Sequence, residues 1–247
     1  MRFITSEFRD ESQEIWLTQP HILIKAADLA VERINSDGDL FNSIGPRRVS
    51  YLHPTEGRIN MEMVPYIHPT GAADITLGTV ATATDGSQTF TPTQEGRFLD
   101  TAGALLPVGA VAQDAEDVAG GLLTDYYVHF DGDGQGVGYG GLETGRAVVI
   151  EEGDFLWLVL RGKFEADFEG AVTAGDPVVS STAAAAGEVR AAVAINTGGT
   201  IAQYHATLLE RTLGRGFKGL GHALETLGGA GRGWMLLDLP YRPFRAN

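Results

Sequence analysis

Along most of this chain hydrophobic and polar positions alternate with a period of two. In "LTDYYVHF" (123–130) Thr124, Tyr126, Val128 and Phe130 share one face, and Leu123, Asp125, Tyr127 and His129 the other. "ADITLGTVATAT", "IAQYHATL" and "GWMLLDL" keep the same rhythm. An extended backbone sends successive side chains to opposite sides, so these segments predict half-buried strands. "AVVI" (147–150) and "FLWLVL" (155–160) are continuously apolar and predict strands covered on both faces. Period alone does not separate such runs from a buried helix, but Gly145 before the first and Gly153-Asp154 between the two favour strands. Helical spacing occurs once. In "PHILIKAADLAVERINSDG", Leu23, Ala27, Ala30 and Ile34 recur on one face while Lys25, Asp28 and Glu32 fall opposite. Pro20 suits a first turn and Asp37-Gly38 a stop, which predicts one N-terminal helix over about 21–35.

The chain carries 33 Gly and 10 Pro, leaving little room for further long helices. Turn signals at Asp85-Gly86, Glu95-Gly96, Asp131-Gly132, Gly198-Gly199 and Gly228-Gly229 separate the strands. The fold class expected is therefore mainly β, a barrel or sandwich of many short antiparallel strands with one N-terminal helix. "STAAAAGE" holds four alanines between Ser-Ser-Thr and Gly, barely one helical turn, and reads as a loop between strands. "YLHPT" at 51–55 and "YIHPT" at 66–70 form a short repeat that is not sustained into a solenoid. The organisation expected is an N-terminal arm (1–20), a helix plus β region (21–150), a β-barrel region (151–239) and a C-terminal tail (240–247).

At 247 residues and 43% hydrophobic content the chain can bury a substantial core. It has no Cys, which excludes disulfides and thiolate metal sites. The opening "MRFITSEFRDESQEIW" has acids where a signal peptide needs an apolar run, and "FLWLVL" is far too short to span a bilayer. A soluble, unexported protein without membrane association is expected. Against 18 Lys and Arg stand 32 Asp and Glu, a net charge of -14. Such a balance repels the phosphate backbone, so direct nucleic-acid binding is not expected.

Candidate chemistry is sparse. "GVGYGG" (Gly136, Gly138, Gly141) and "GRGFKG" (Gly214, Gly216, Gly219) satisfy G-x-G-x-x-G. The first leads into a turn and strand and the second into at most a short helix, whereas a pyrophosphate needs a helix N-terminus after a parallel strand. "DGDGQG" (131–136) starts like a calcium loop with Asp131, Asp133 and Gln135, but its twelfth position is Leu142, with Glu143 one residue late. It reads as an acidic turn after the "YYVHF" strand. His53 and His68 would share a metal only by meeting across a hairpin, and the Pro after each favours strand-end turns. His21, His129, His205 and His222 stand singly. No Ser sits in a Gly-x-Ser-x-Gly elbow. Glu151-Glu152 and Glu165/Asp167/Glu169 are paired carboxylates, yet acids two apart on a strand share a solvated face, and that spacing alone does not make an acid–base pair. No cofactor, metal or catalytic residue is assigned.

From residue 153 the order of elements carries a resemblance. A buried strand, "GDFLWLVLRG", is followed by "GAVTAGDPVVSS", a Ser/Ala/Gly turn, "GHALETL" and a closing "GRGWMLLDL". This series resembles the decoration, or cement, proteins of tailed-bacteriophage capsids. The matching residues are Val172, Ala174, Gly175, Asp176, Pro177 and Val178, then Gly221, Ala223, Leu224 and Glu225, then Trp234, Leu236, Asp238 and Leu239. "LLPVGAVAQDAEDVAGG" (105–121) looks like a related strand–turn unit. The likeness covers roughly the last ninety residues well and the first hundred poorly. It implies a non-enzymatic barrel on the outer surface of a virion, made in the host cytoplasm. It further implies a homotrimer that reinforces joints between major capsid protein subunits.

Phe3, Phe8 and Trp16 in the arm and Tyr241 and Phe244 in the tail lie in segments with little repeating structure. Aromatics anchor interfaces and extended ends add strands to sheet edges, so these five are the candidate subunit or capsid contacts. Two other functions compete. A receptor- or glycan-binding module of a virion fibre would use an aromatic cluster beside acids, around Tyr126, Tyr127, Tyr139 and "DGDGQG". A cofactor-free hydrolase would use paired acids such as Glu165 and Asp167.

Overall fold

A computed structural model describes residues 2–3, 22–23, 26, 46–53, 56–82, 88–94, 96–106, 118–123, 128–130, 136–137, 147–181, 186–192, 200–202, 205 and 219–240. The chain divides into two units. The first comprises Met1–Glu95, Leu122–Val159 and Tyr241–Asn247; the second comprises Gly96–Gly121 and Leu160–Pro240.

In the first unit β1 (Arg2–Phe3), β3 (Arg47–His53) and β4 (Gly57–Ile67) form an antiparallel array, with Phe3 opposite Tyr51 and Tyr51 opposite Ile59. A second sheet orders β11 (Ala147–Ile150), β5 (Ile75–Thr82) and β6 (Gln88–Pro92). A third orders β10 (Gly136–Val137), β9 (Val128–Phe130) and β2 (Ile22–Leu23). Here the expected helix over 21–35 is corrected at its start. Ile22 and Leu23 are extended and pair in parallel with Val128 and His129, and Ala26 lies in a turn. Ile22 is β-branched, and it and Leu23 take this long-range strand partner in preference to the helical spacing. The remaining residues of that segment lie outside the described ones. "AVVI" also departs from expectation: Val148 and Ile150 are buried while Ala147 is exposed, so one face alone is covered.

The second unit holds a closed barrel of five strands. Its members are β12 (Phe155–Phe168, which belongs to this unit from Leu160 on), β13 (Pro177–Ser180), β14 (Val189–Ala191), β15 (Gly221–Ala223) and β16 (Gly231–Asp238). The order runs β12, β14, β13, β15, β16 and returns to β12. Most pairings are antiparallel as expected, but β12 meets β14 in parallel at Phe168 and Val189. The fourteen residues of β12 explain themselves by pattern. Phe155–Leu160 are all buried, as the apolar run requires, and from Arg161 onward burial alternates, with Phe164, Ala166 and Phe168 inside. Val178, Val189, Ala223, Met235 and Leu237 complete the barrel interior. β7 (Phe98–Asp100) and β8 (Val118–Gly121) pair beside it, and Phe98 meets Phe164 edge-on at 5.3 Å between ring centres. "IAQYHATL" is not a strand where it is described: Ile201, Ala202 and His205 are helical and exposed. Alanine and polar residues carry most of its alternation, and with Ile201 76% exposed no buried sheet face holds it extended.

Candidate functional site

The residues that carry the capsid-protein resemblance are scattered over some seventy positions, yet they meet at one end of the barrel. Thr173–Asp176 forms a turn in which the Asp176 N–H donates to the Thr173 carbonyl at 2.9 Å, and the Asp176 carboxylate accepts from the Thr173 N–H at 2.9 Å. Gly175, at φ 90°, supplies the left-handed conformation that this turn needs. Its N–H reaches the Ala223 carbonyl at 2.8 Å, and the Ala174 N–H reaches the Thr226 hydroxyl at 3.1 Å. Val172 and Leu227 exchange two backbone hydrogen bonds. The Glu225 carboxylate then accepts from the Trp234 N–H at 2.7 Å, while Trp234 returns its carbonyl to the Leu224 N–H at 2.8 Å. The three motifs are one hydrogen-bonded knot that fastens β13, β15 and β16 together.

Close backbone approach tightens this knot. A β-carbon on Gly221 would stand 1.9 Å from the Leu236 carbonyl oxygen, and one on Gly233 would meet the Leu227 side chain at 2.7 Å. Pro177 leads into β13 with its carbonyl held by the Ala192 N–H at 2.8 Å. The segment at 170–181 forms one wall of this closure.

A second cluster absorbs the acids that sequence reading offered for catalysis. The Arg97 guanidinium lies 3.0 Å from both the Asp167 and the Glu188 carboxylates and donates to the Ala186 carbonyl at 2.6 Å. Glu169 pairs with Arg190 at 3.8 Å and accepts a hydrogen bond from the Ser181 hydroxyl. Gly187, at φ 85°, brings the chain so near Arg97 that an added β-carbon would lie 2.8 Å from the Arg97 β-carbon. Asp167 and Glu169 thus bind arginines that tie the 186–190 turn to β12. Glu165 shares their strand and lies opposite Trp234 on β16.

The outer wall of β12 and β16 is the feature that sequence reading missed. Trp234 and Leu236 lie on the outer face of β16; Leu236 is exposed, whereas Trp234 is only 9% exposed, with the Lys163 ammonium 4.6 Å from the centre of its ring. Leu236 is 48% exposed and Leu224 45%, the two most exposed leucines among the described residues. The signal was present in "GRGWMLLD": its inward set is Gly233, Met235 and Leu237, so its outward set contains Trp234 and Leu236 where a solvated strand would carry polar groups.

In the first unit Asp154 and His68 hold a different hub. Asp154 is 1% exposed, and its carboxylate accepts from the Ala26 and Glu151 N–H groups, each at 2.8 Å. The Asp154 carbonyl accepts from the His68 N–H, and the His68 carbonyl from the Gly153 N–H, both at 2.9 Å. The buried His68 ring lies 3.0 Å from the Ala73 carbonyl and 3.3 Å from the Tyr66 hydroxyl. His68 is therefore occupied in fastening its own turn, and His53 ends β3 opposite Gly57.

Of the expected contact residues, Phe3 lies in β1, paired with β3 of its own chain; Phe8, Trp16, Tyr241 and Phe244 lie outside the described residues. So do Tyr126, Tyr127, Tyr139 and residues 131–135, although Gly136 of "DGDGQG" pairs with Phe130 across the intervening segment. Of "GVGYGG", Gly136 and Val137 form a short strand. Among the described residues no group of three or more His, Asp or Glu is placed to hold a metal, and no helix is long and apolar enough to cross a membrane. Comparison of the chain with protein-family models, curated proteins and solved structures finds no match.

Proposed function

We propose that this chain is a capsid decoration protein: a non-enzymatic β-barrel module that binds the outer surface of an assembled tailed-phage head and braces the contacts between major capsid subunits. The observation that supports this reading is the convergence of the three resembling motifs on one knot. Val172–Val178, Gly221–Glu225 and Trp234–Leu239 keep the family's order in sequence and are joined by direct hydrogen bonds in space. Residues that recur together for a common structural purpose are expected to meet in this way. Asp167, Glu169 and the buried His68 are held in internal pairs, which suits a protein whose work is contact.

In this reading the barrel is a rigid platform and the aromatic termini, with Phe8, Trp16, Tyr241 and Phe244, are the segments that grip the shell. A homotrimer would turn three modest contacts into one strong attachment, because the second and third become intramolecular. The test is mechanical. Heads that lack decoration, assembled from the major capsid protein of the same genome, are heated with and without the purified chain. Addition is expected to raise the temperature at which the heads rupture, and an unchanged rupture temperature at saturating protein overturns the reading.

A further inference from the structure

The register between β12 and β16 gives their outer wall a hidden symmetry. Outward residues pair across the strands as Arg161 with Asp238, Lys163 with Leu236, Glu165 with Trp234, and Asp167 with Arg232. Along β12 the row runs cation, cation, anion, anion; along β16, read in the same direction, it runs anion, leucine, tryptophan, cation. A two-fold axis lying across the strands at the level of Phe164 and Met235 exchanges the two ends of each row. Laid on a second copy related by that axis, Arg161 faces Asp167, Lys163 faces Glu165, Arg232 faces Asp238 and Leu236 faces Trp234. Each charge meets its opposite, and the exposed Leu236 comes over the rim of the largely buried Trp234.

We infer that this wall is a two-fold contact between copies of the chain. The face sums to zero, three cations (Arg161, Lys163, Arg232) against three anions (Glu165, Asp167, Asp238), and the Arg97 that pairs with Asp167 is offset by Glu188, on a chain whose net charge is -14. Copies that repel elsewhere approach here at least electrostatic cost. An isologous interface needs self-complementarity, and the wall has it in charge. The in-plane pairing of Arg161 with Asp238 at 3.1 Å and the Lys163–Trp234 stacking hold those side chains in place before contact.

The area sets the strength. Eight paired residues at about 3.3 Å each, on two strands about 4.8 Å apart, span roughly 250 Å². A stable complex buries about 800 Å² per partner, so the association is weak in the free protein and matters when copies are concentrated. This inference does not rest on the cement reading, since a fibre module would carry the same wall.

The experiment is a charge swap read by sedimentation velocity on the full chain, from micromolar to millimolar. In the two-fold pair Lys163 faces the other copy's Glu165 twice, so K163E and E165K each turn two attractions into two repulsions and are expected to weaken the step about tenfold or more. K163E/E165K restores opposite charges and is expected to recover it, although the Lys163–Trp234 contact is lost in both K163E and the double variant. That recovery separates an interface from a folding effect, and circular dichroism checks each fold. The inference is overturned if the parent chain sediments like K163E at every concentration, or if the folded double variant fails to recover association.

Discussion

Gly221, opposite Leu237 across β15 and β16, lies so close to the backbone of Leu236 that a β-carbon on Gly221 would lie 1.9 Å from the Leu236 carbonyl oxygen. The obstruction is backbone and has no flexible end to swing away. Gly221→Ala is therefore expected to destabilise the second unit by at least about 3 kcal/mol. Gly228→Ala is the control: it meets nothing within 4 Å and its φ is not positive, so a gain of about 0.5 kcal/mol is expected. Urea denaturation of the two variants checks both signs.

Glu225 is expected to act through its acceptor oxygen, by its 2.7 Å bond from the Trp234 N–H. Glu225→Gln keeps an acceptor and should cost less than about 1 kcal/mol, while Glu225→Ala strands a part-buried N–H and should cost about 1–3 kcal/mol. Hydrogen exchange at the Trp234 amide resolves the two: faster in Glu225→Ala, close to the parent in Glu225→Gln.

Arg97 pairs with two carboxylates and satisfies a carbonyl in one place. Arg97→Met leaves Asp167 and Glu188 facing each other's charge with 24% and 13% of their side chains exposed. Partial exposure lets water compensate in part, so a loss of about 2–3 kcal/mol is expected. Chemical denaturation of the variant measures it, and Arg97→Lys should recover only a part, because one ammonium does not replace a planar fork.

Asp154 accepts from two backbone N–H groups while 1% exposed. Asp154→Asn turns one acceptor oxygen into a donor that confronts an N–H. A loss of about 2 kcal/mol is expected, with faster amide exchange at Ala26 or Glu151, whichever faces the new amide.

Much of the β architecture was legible in local pattern, and the reasons for the exceptions are specific. "FLWLVL" announced a strand buried on both sides, and "GAVTAGDPVVSS" announced its turn through Gly175-Asp176-Pro177. The segment at 21–35 misled because Ile22 and Leu23 take their partners from Val128 and His129, more than a hundred residues away. Arg97 was silent for the same reason: Glu188 lies 91 positions from it. The outer wall was hidden differently. Its residues were all visible in "RGKFEADF" and "GRGWMLLD", but which of two apolar faces points outward is decided only when the barrel closes and buries Met235 and Leu237.

The central claim is attachment to an assembled shell, and co-sedimentation of the full chain with undecorated heads from the same genome tests it most directly. Saturable binding, with a fixed number of chains per head and little binding to unassembled capsid protein, is the result expected. Absence of the chain from the head pellet at every concentration, with the protein folded and in excess, contradicts the account.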